Sequence, residues 1–328
     1  MDIKEQIVKY CNILGLDLIG FTPCREFSEL LEFYKYRKEN NLENEFEEVC
    51  IKKRINPNYY MVDGKTIISI AFPYLYEENY KSNGFSVYTR GLDYHSVVKS
   101  YLDKICKFIE KLGGKAMSFV DSNTLPERYI AYLSGIGFIG KNNMLITKKY
   151  GSFVFLGEII TDLNVSLKDN KILENTPCID CEKCYKACPT NSINDTEKNC
   201  NICMSYITQK KDIEDEFLYF MKGRIFGCDS CQLSCPCNHN ISYSNIEEFK
   251  PLNFMKEGID TKDIISLNNK AFKETFKITS CGWRGKNTLI RNALIKRYLV
   301  EKKSIEGYNF ESPYLKAYKN RLLMLNKV

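Results

Sequence analysis

One stretch determines how this chain folds: Cys178-Ile-Asp-Cys181-Glu-Lys-Cys184-Tyr-Lys-Ala-Cys188-Pro189. Its spacing, C-x2-C-x2-C-x3-C-P, is typical of segments that hold cubane iron–sulfur clusters. The short spacers allow one loop to place three thiolates around one cluster, whereas the cysteine before the proline points away, usually to a second cluster. The stretch therefore predicts iron–sulfur chemistry and further ligands elsewhere in the chain.

A second cysteine run downstream supplies most of those further ligands. It reads Cys228-Asp-Ser-Cys231-Gln-Leu-Ser-Cys235-Pro236, and Cys200 and Cys203 lie between the two runs. Two cubane clusters need about eight thiolates. The two runs contain seven cysteines, so Cys200 or Cys203 gives the eighth. The crossed pattern predicts two ligand sets: Cys178, Cys181, Cys184 and Cys235 for one cluster, and Cys188, Cys228, Cys231 and one of Cys200 or Cys203 for the other.

Structural zinc and disulfides are the alternatives. Two C-x2-C pairs with a long spacer would suit zinc, but they would not explain closely spaced cysteines that end in Cys-Pro twice over. The chain has 15 cysteines, and its first residues lack the apolar core and cleavage site of a signal peptide. We therefore expect reduced thiols, bound metal and a cytoplasmic location.

Size and charge set further limits. A chain of 328 residues can form two domains, or one domain with a cofactor insert. The net charge of +6 is mildly basic, which is compatible with a nucleic-acid partner but does not by itself indicate one. No run of about 18 apolar residues occurs, so we expect no membrane span.

Before the cysteine runs, the sequence predicts an α/β domain. A β-branched apolar strand over 65–72 is followed by a helix that Asp93 caps. Another strand, 115–120, leads to Asp121. Open α/β sheets place their chemistry at the carboxyl ends of strands, so Asp121 is a candidate catalytic acid. Its alternative role is to cap the next helix.

Three other features have both a structural and a functional interpretation. Arg54 ends a run of three cations before a proline, which suits a solvated loop or a contact with a phosphate or cofactor amide. His95 lies in the first helical turn, where local hydrogen bonding is the commoner role. The segment 281–292 holds the only tryptophan among cations. It is either the start of a helix with solvated charges or a nucleic-acid contact.

Several runs together resemble one family, epoxyqueuosine reductase, the cobalamin- and iron–sulfur-dependent enzyme of tRNA queuosine synthesis. They keep the family's order over roughly residues 1–300. The runs are Gly91-Leu-Asp93-Tyr94-His95; Val120-Asp121-Ser122 with Glu127-Arg128; Gly135-Ile-Gly-Phe-Ile-Gly-Lys141-Asn142; Tyr150-Gly-Ser with Leu156-Gly-Glu158-Ile; the two cysteine runs; Cys203-Met-Ser205-Tyr-Ile-Thr; Gly227-Cys228-Asp229; and Trp283-Arg284-Gly-Lys286 with Arg291-Asn292.

The resemblance implies a cobalamin bound between the α/β domain and the cluster domain. It also implies reduction of the epoxide at the wobble base to a cyclopentene, with the oxygen leaving as water. An external electron donor of low potential would supply electrons to a monomeric enzyme. Asp121 matches the family's proton donor. A carboxylic acid beside an apolar corrin is expected to have a raised pKa and to stay protonated.

The resemblance also assigns residues. It selects Cys203 as the eighth cluster ligand, because Cys203 begins the run C-x-S-x-x-T, and it leaves Cys200 as a bystander. His95 and Lys141 lie in matching motifs and are expected to face the site. The positions that match the cobalamin site are Arg54, Ser86, Asp121, Leu145, Leu156, Ser205, Cys228 and Asp229. The positions that match the tRNA contact are Trp283, Arg284, Lys286 and Arg291.

The predicted fold class is therefore α+β, with three parts. Residues 1–170 form an α/β cobalamin-binding domain like that of reductive dehalogenases, 171–245 a ferredoxin-like double [4Fe–4S] domain, and 246–328 a short helical segment that could contact tRNA. Many family members continue into a helical-repeat domain, whereas about 36 residues follow Asn292 here. Because repeat stacks need about three units, this helical pair is expected to pack on the cluster domain.

Two other functions fit parts of the pattern. A corrinoid iron–sulfur reductase for a small organic substrate would share the cofactors but lack a tRNA surface. A non-catalytic electron carrier would need the clusters but not Asp121. The segment 281–292 separates the first alternative from a tRNA enzyme, and Asp121 separates the second.

Overall fold

The computed structural model describes residues 2–77, 82–165, 167, 172–174, 176–256 and 258–325. The predicted domain boundary at 170/171 lies outside these residues, and the division into three domains stays a prediction. The strands are β1 Ile19–Pro23, β2 Thr66–Pro73, β3 Ala116–Phe119, β4 Phe138–Ile139, β5 Leu145–Ile146 and β6 Val154–Thr161. The helices are α1 Ile3–Ile13, α2 Leu31–Glu39, α3 Ile51–Ile55, α4 Tyr94–Lys111, α5 Glu127–Leu133, α6 Lys183–Ala187, α7 Met204–Ile207, α8 Asp215–Phe220, α9 Ser230–Leu233, α10 Asn253–Lys256, α11 Thr261–Ile265, α12 Asn269–Glu274, α13 Lys286–Ile295 and α14 Pro313–Leu325.

The central sheet is antiparallel, with the strand order β1-β2-β6-β3. Every residue of β2 is buried, as the β-branched run over 65–72 predicts. Asp121 follows β3, but β3 is an antiparallel edge strand. The rule for parallel sheets that singled out Asp121 therefore does not apply, although its place after a strand is correct.

Helices cover both faces of the sheet. Ile68 and Ile70 of β2 pack in one core with Ile7 of α1 and Leu102 of α4. Ile67, whose side chain points the other way, packs in another core with Ile130 of α5. Alternate residues of each strand thus contact different helices, and both α4 and α5 start beside the end of β3.

The predicted cap of α4 is confirmed. The Asp93 carboxylate accepts a hydrogen bond from the backbone N–H of His95, so the helix begins at Tyr94. This cap fixes His95 in the first turn of the helix.

The sequence also favours a hairpin of 144–147 with 152–161, and this interpretation is wrong. β5 pairs with β4, and β6 pairs with β2 and β3. Gly137 explains the preference for β4: a Cβ there would lie 2.4 Å from the carbonyl oxygen of Ile146, so only glycine allows this approach. The glycine run therefore serves the contact between β4 and β5.

A separate core holds the C-terminal helices. Leu315 and Leu322 of α14 pack in one cluster with Met204 of α7, Leu218 of α8 and Leu294 of α13. The C-terminal helical pair thus packs on helices that lie between the two cysteine runs, as its short length predicts. In the described part of the chain, no helix combines the length and apolarity that a bilayer crossing requires.

Candidate cluster and active site

The first predicted set of thiols converges on one small cavity. Cys178, Cys181 and Cys184 come from the first run, and Cys235 comes from the end of the second. Lys141 lines the same cavity and donates from Nζ to the carbonyl oxygen of Ile179 at 2.8 Å. The arrangement is the crossed one, in which the cysteine before Pro236 joins the other run's three cysteines.

The thiols of the second predicted set also lie near one another. Burial raises the pKa of the Cys231 thiol, and the neighbouring thiols of Cys203, Cys228 and Cys188 raise it further. Burial raises the pKa of Cys203 as well, with Cys228 and Cys188 again as neighbours. Eight cysteines therefore fall into two groups of four, and Cys184 of the first group is near enough to add to the pKa rise of Cys231. Among the described residues, no group of three or more His, Cys, Asp or Glu is arranged to hold a single metal ion.

Cys200 is directed away from both groups. Its sulfur donates to Oε1 of Glu47 and lies 2.9 Å from it and from the carbonyl oxygen of Leu42. Arg37 donates to the same Glu47 carboxylate at 2.8 Å. Cys200 thus connects the cluster segment to the N-terminal part of the chain, and its role as a bystander stays a prediction.

Sequence reasoning missed the position of Cys237. This thiol packs against Cys178 and Cys235 of the first group. The Cys235-Pro236-Cys237 spacing offers no signal, because only the fold of the turn decides which way the last thiol points.

His95 lies between two carboxylates. Nδ1 donates to Oδ1 of Asp93 at 2.8 Å, and Nε2 lies 3.1 Å from Oδ2 of Asp121. Burial alone would lower the pKa of His95, but the hydrogen bonds to Asp121 and Asp93 and their charges outweigh it and raise the pKa to about 9. At neutral pH the imidazole therefore holds a second ring proton, directly beside Asp121.

Asp121 does not have the raised pKa that its predicted role suggests. Burial raises the pKa of its carboxyl, but hydrogen bonds from His95 and Tyr94 and the charge of His95 lower it further than burial raises it. The net pKa is below the ordinary range, so Asp121 is ionised while its proton lies on His95. The side chain is 58% exposed and can therefore meet a substrate.

An aromatic row links this pair to the second thiol group. Ring centroids are 4.1 Å apart between His95 and Tyr94, 4.3 Å between Tyr94 and Phe155, and 4.4 Å between Phe155 and Tyr74. Burial raises the pKa of Tyr74, and the charges of Asp229 and Cys231 nearby contribute to the same direction. The row thus runs from the neighbourhood of Cys231 to the proton-carrying pair, which no spacing in the sequence indicates.

Three of the predicted cobalamin residues are brought together near this row. Ser86 donates its hydroxyl hydrogen to Oδ1 of Asp229, and the backbone N–H of Val87 donates to Oδ2 at 2.9 Å. Tyr88 shares a hydrogen bond with Ser205 and lies near the charges of both Asp229 and Asp121. Burial raises the pKa of Tyr88, although part of the residue stays exposed.

A glycine allows the segment before Cys228 to approach the loop that carries Ser86. Gly227 has φ 74°, and a Cβ there would lie 2.5 Å from Cβ of Ser86. The neighbouring residues Phe85 and Phe226 form an isolated parallel bridge. The segment before Cys228 therefore lies directly against the loop that carries Ser86.

The remaining cobalamin candidates are placed differently. Leu145 and Leu156 pack in a small apolar core with Tyr150. Arg54 is engaged elsewhere: its guanidinium donates to Glu43 at 2.5 Å and to Glu47 at 3.0 Å, and it lies 3.9 Å from the ring centroid of Tyr34. The structure gives Arg54 no contact with the Ser86–Asp229 group, so its donors serve the N-terminal fold.

The side chains of this group have the chemistry that a large flat cofactor needs. Tyr88 and Tyr94 supply aromatic surface, and Ser86, Ser205 and Asp229 supply polar atoms along one edge. Burial raises the pKa of Asp229, while the hydrogen bonds from Ser86 and Val87 act in the opposite direction. Apolar walls with a few convergent polar groups are typical of cofactor sites.

The structure corrects one tRNA candidate. Arg291 is fully buried, and its guanidinium donates to the carbonyl oxygens of Thr208 at 2.9 Å and Lys211 at 2.9 Å and to the hydroxyl of Tyr314 at 2.8 Å. It also donates to the carbonyl oxygen of Lys210. All of these contacts are internal, so Arg291 stabilises the fold instead of binding a nucleic acid.

The other tRNA candidates stay at the surface. The Trp283 side chain is 48% exposed and donates from Nε1 to Oε1 of Gln209 at 2.9 Å. The Arg284 guanidinium lies 4.9 Å from the Trp283 ring and 5.3 Å from the ring of Phe46. Lys286 is half-buried at the start of α13. Phe46 is a surface neighbour that sequence reasoning missed, because it lies more than 200 residues away.

Two family models match the chain. Residues 54–122 match "Epoxyqueuosine reductase QueG, DUF1730". Residues 177–238 match "4Fe-4S double cluster binding domain". The first match contains His95 and Asp121, and the second contains both thiol groups.

Whole-chain comparisons agree with these matches. The chain is 35% identical over 305 residues to the epoxyqueuosine reductase of Listeria monocytogenes, covering 89% of this chain and 79% of that protein. A crystal structure of epoxyqueuosine reductase with a tRNA-Tyr epoxyqueuosine-modified stem loop has a TM-score of 0.90 at 30% identity, over 98% of this chain and 89% of that one. The Bacillus subtilis enzyme, solved with its catalytic aspartate loop swung out of the active site, has a TM-score of 0.82 at 31% identity, over 90% and 81%. These matches confirm the predicted α+β fold with its double cluster segment.

Proposed function

The chain belongs to the epoxyqueuosine reductase family, and we propose that it reduces epoxyqueuosine in the wobble position of tRNA to queuosine. The observation that carries the proposal is the His95–Asp121 pair, whose Nε2 and Oδ2 atoms lie 3.1 Å apart. The pair lies at the end of the aromatic row that starts near the second thiol group. The reaction takes two electrons and two protons, breaks both bonds to the epoxide oxygen, forms a carbon–carbon double bond and releases water.

The chain uses two [4Fe–4S] clusters, and the two thiol groups are their proposed ligands. Cys178, Cys181, Cys184 and Cys235 would hold one cluster, and Cys188, Cys203, Cys228 and Cys231 the other. The shared cavity of the first group and the mutual neighbourhood of the second support this division. Cys200 is left out of the second set because its sulfur donates a hydrogen bond to the Glu47 carboxylate.

Cobalamin is the proposed third cofactor. Ser86, Ser205 and Asp229 would hold its polar edge, and Leu156 and Tyr94 would lie against its apolar parts. When bound, cobalamin and the clusters supply the electrons of the reduction. The chain's own task at this place is to exclude water and to keep Asp121 beside the reacting carbon–oxygen bond.

The proton reaches the substrate from His95 through Asp121. The imidazolium holds the proton at Nε2, and the ionised Asp121 accepts it at Oδ2 across 3.1 Å as the substrate oxygen becomes basic. Asp121 then donates it to that oxygen, because an alkoxide leaves poorly. Asp93 keeps the imidazole oriented by accepting from Nδ1. A second proton from solvent completes the water molecule.

Trp283, Arg284 and Lys286 are the proposed tRNA contacts. Arg284 can neutralise a phosphate, and the exposed Trp283 ring can stack on an unpaired base. Oε1 of Glu45 lies 3.8 Å from the Arg284 guanidinium. A phosphate that binds Arg284 would have to displace this carboxylate. An external electron donor of low potential, a monomeric state and a cytoplasmic location remain predictions.

One assay tests the reaction directly. Anaerobically reconstituted protein with both clusters and cobalamin is given a reductant and tRNA bearing epoxyqueuosine, and the digested nucleosides are analysed by mass spectrometry. We expect the modified nucleoside to lose one oxygen atom. No conversion by fully loaded protein would contradict the proposal and favour a small organic substrate.

A further inference from the structure

The turn that carries Asp121 has an unusual backbone. Asp121 has φ 48°, in the left-handed region that residues with a side chain rarely occupy. Two tight backbone hydrogen bonds accompany it: the N–H of Ser122 donates to the carbonyl oxygen of Val120 at 2.5 Å, and the N–H of Asn123 donates to the carbonyl oxygen of Asp121 at 2.6 Å. Such strained turns persist only where the surroundings hold them, so some neighbouring group must fix this one.

Glu127 is that group. Its Oε1 accepts the backbone N–H of Asp121 at 2.8 Å and Nδ2 of Asn123 at 2.7 Å. Asn123 in turn accepts the N–H of Leu125 at 2.7 Å through Oδ1. A single carboxylate oxygen at the start of α5 thus closes the turn from inside, at the residue whose side chain contacts His95.

We propose that Glu127 is a positioning residue of the reaction, which holds the turn 120–125 in the conformation that places the Asp121 carboxylate on His95. This inference rests on the proposed function only for its catalytic consequence. The structural part concerns the contact between Asp121 and His95 and can be tested without substrate.

Glu158 of β6 is a second buried carboxyl near Glu127. It pairs in register with Ser69 of β2 and with Phe119, the last residue of β3. The side chain has no exposed surface, Oε1 accepts from Ser69 at 3.2 Å, and Oε2 has no hydrogen-bond partner among the described residues. An ionised carboxylate in this position would be poorly compensated, so Glu158 is neutral.

The two glutamates therefore share at most one negative charge. Burial raises the pKa of Glu127 to about 7, and the charge of Asp121 adds to this. Burial also raises the pKa of Glu158, with Glu127 as the charged neighbour. The turn 120–125 consequently depends on an acceptor oxygen at position 127 more than on a negative charge there, and glutamine supplies such an oxygen.

Glu127→Gln keeps the acceptor oxygen without the charge, whereas Glu127→Ala removes both, so the two variants test which of them holds the turn. The chain has two histidines, so the pKa of His95 can be followed by NMR of cluster-loaded, histidine-labelled protein, with the exposed His239 as internal reference. The Asp121 carboxylate supports the pKa of about 9 at His95. In Glu127→Ala the turn is released, and we expect the His95 pKa to fall by about one unit or more. In Glu127→Gln it should stay within a few tenths of the wild-type value.

A double variant separates positioning from direct electrostatics. Asp121→Asn alone should lower the His95 pKa, and adding Glu127→Ala to it should change the pKa no further. An unchanged pKa in Glu127→Ala, an equal fall in Glu127→Gln, or a further fall in the double variant would each overturn the proposal. If Glu127→Ala does not fold, Asn123→Ala removes the other partner of the same oxygen and should lower the pKa in the same direction, and no fall would overturn it.

Measurements of turnover test the catalytic consequence of this positioning role. Glu127→Ala should reduce kcat with little change in KM for tRNA, and Glu127→Gln should restore most of it. If the wild-type protein reduces no epoxyqueuosine while the His95 pKa behaves as expected, the proposed function fails and the positioning role stands.

Discussion

His95 and Asp121 meet at 3.1 Å, Nε2 to Oδ2, although 26 positions separate them in the sequence. His95 belongs to the first turn of α4, and Asp121 follows β3, against which α4 packs. The contact makes one proton-holding unit out of two residues. It also explains how a carboxylate with a lowered pKa can take part in proton donation: the proton is stored on the neighbouring imidazole.

Replacing Asp121 with asparagine should stop the reaction and leave the cofactors in place. Asparagine adopts left-handed backbone more readily than most residues, so the turn at φ 48° should survive. We expect turnover to fall by at least about 100-fold, the usual contribution of a general acid. Iron content and cobalamin absorbance should match the wild type. Wild-type turnover in this variant would remove Asp121 from the mechanism.

The pH dependence should follow His95. Its pKa is raised to about 9, so the imidazole is protonated below that pH and loses its proton as the pH rises through it. Turnover should therefore fall on the alkaline side, near pH 9. In His95→Gln this limb should disappear and the rate should be low throughout. A profile of His95→Gln identical to that of wild type would show that the proton comes from elsewhere.

The cysteines allow a matched pair of variants. Cys203→Ala should lose one cluster, so that iron falls from about eight to about four atoms per chain. Cys200→Ala should keep both clusters, because its sulfur contacts Glu47 and Leu42 instead of the other thiols. Iron analysis of anaerobically purified protein measures both. The reverse result would exchange the two ligands.

Arg291 and Arg284 should separate stability from tRNA binding. Arg291→Met removes the hydrogen bonds of a fully buried guanidinium to three carbonyl oxygens and to the Tyr314 hydroxyl, and we expect the free energy of unfolding to fall by about 3 kcal/mol. Arg284→Ala should change stability by less than about 1 kcal/mol and weaken tRNA binding, with a smaller salt dependence. Denaturant unfolding and binding titrations at two salt concentrations test the pair. Equal loss of stability in both variants would contradict this division.

The sequence predicted well wherever local spacing determines structure. The two cysteine runs carry their ligand pattern in spacings of two or three residues, and Asp93 caps its helix through its own neighbours. The match of whole runs to a family selected Asp121, and the structure places its carboxylate against His95. The sheet rule that first supported Asp121 assumed parallel strands.

What could not be predicted depends on packing between distant segments. Arg291 has the residue type of a phosphate contact, and only the surrounding carbonyl oxygens of 208–211 show that it is internal. Glu158 is an acid in an apolar strand, and its neutrality follows from burial that no local pattern reveals. The pairing of β5 with β4 likewise depends on Gly137 and its approach to Ile146.

The Asp93 carboxylate accepts from both the backbone N–H and the ring nitrogen Nδ1 of His95, through the same oxygen, at 3.2 and 2.8 Å. The residue that starts the helix is thus also the residue that orients the imidazole. An insertion or deletion of one residue here would rotate the ring away from Asp121 and remove the cap together. The position of the helix start and the orientation of the catalytic imidazole therefore depend on the same residue, and a length change at Asp93 should be tolerated far less than one in the loop that precedes it.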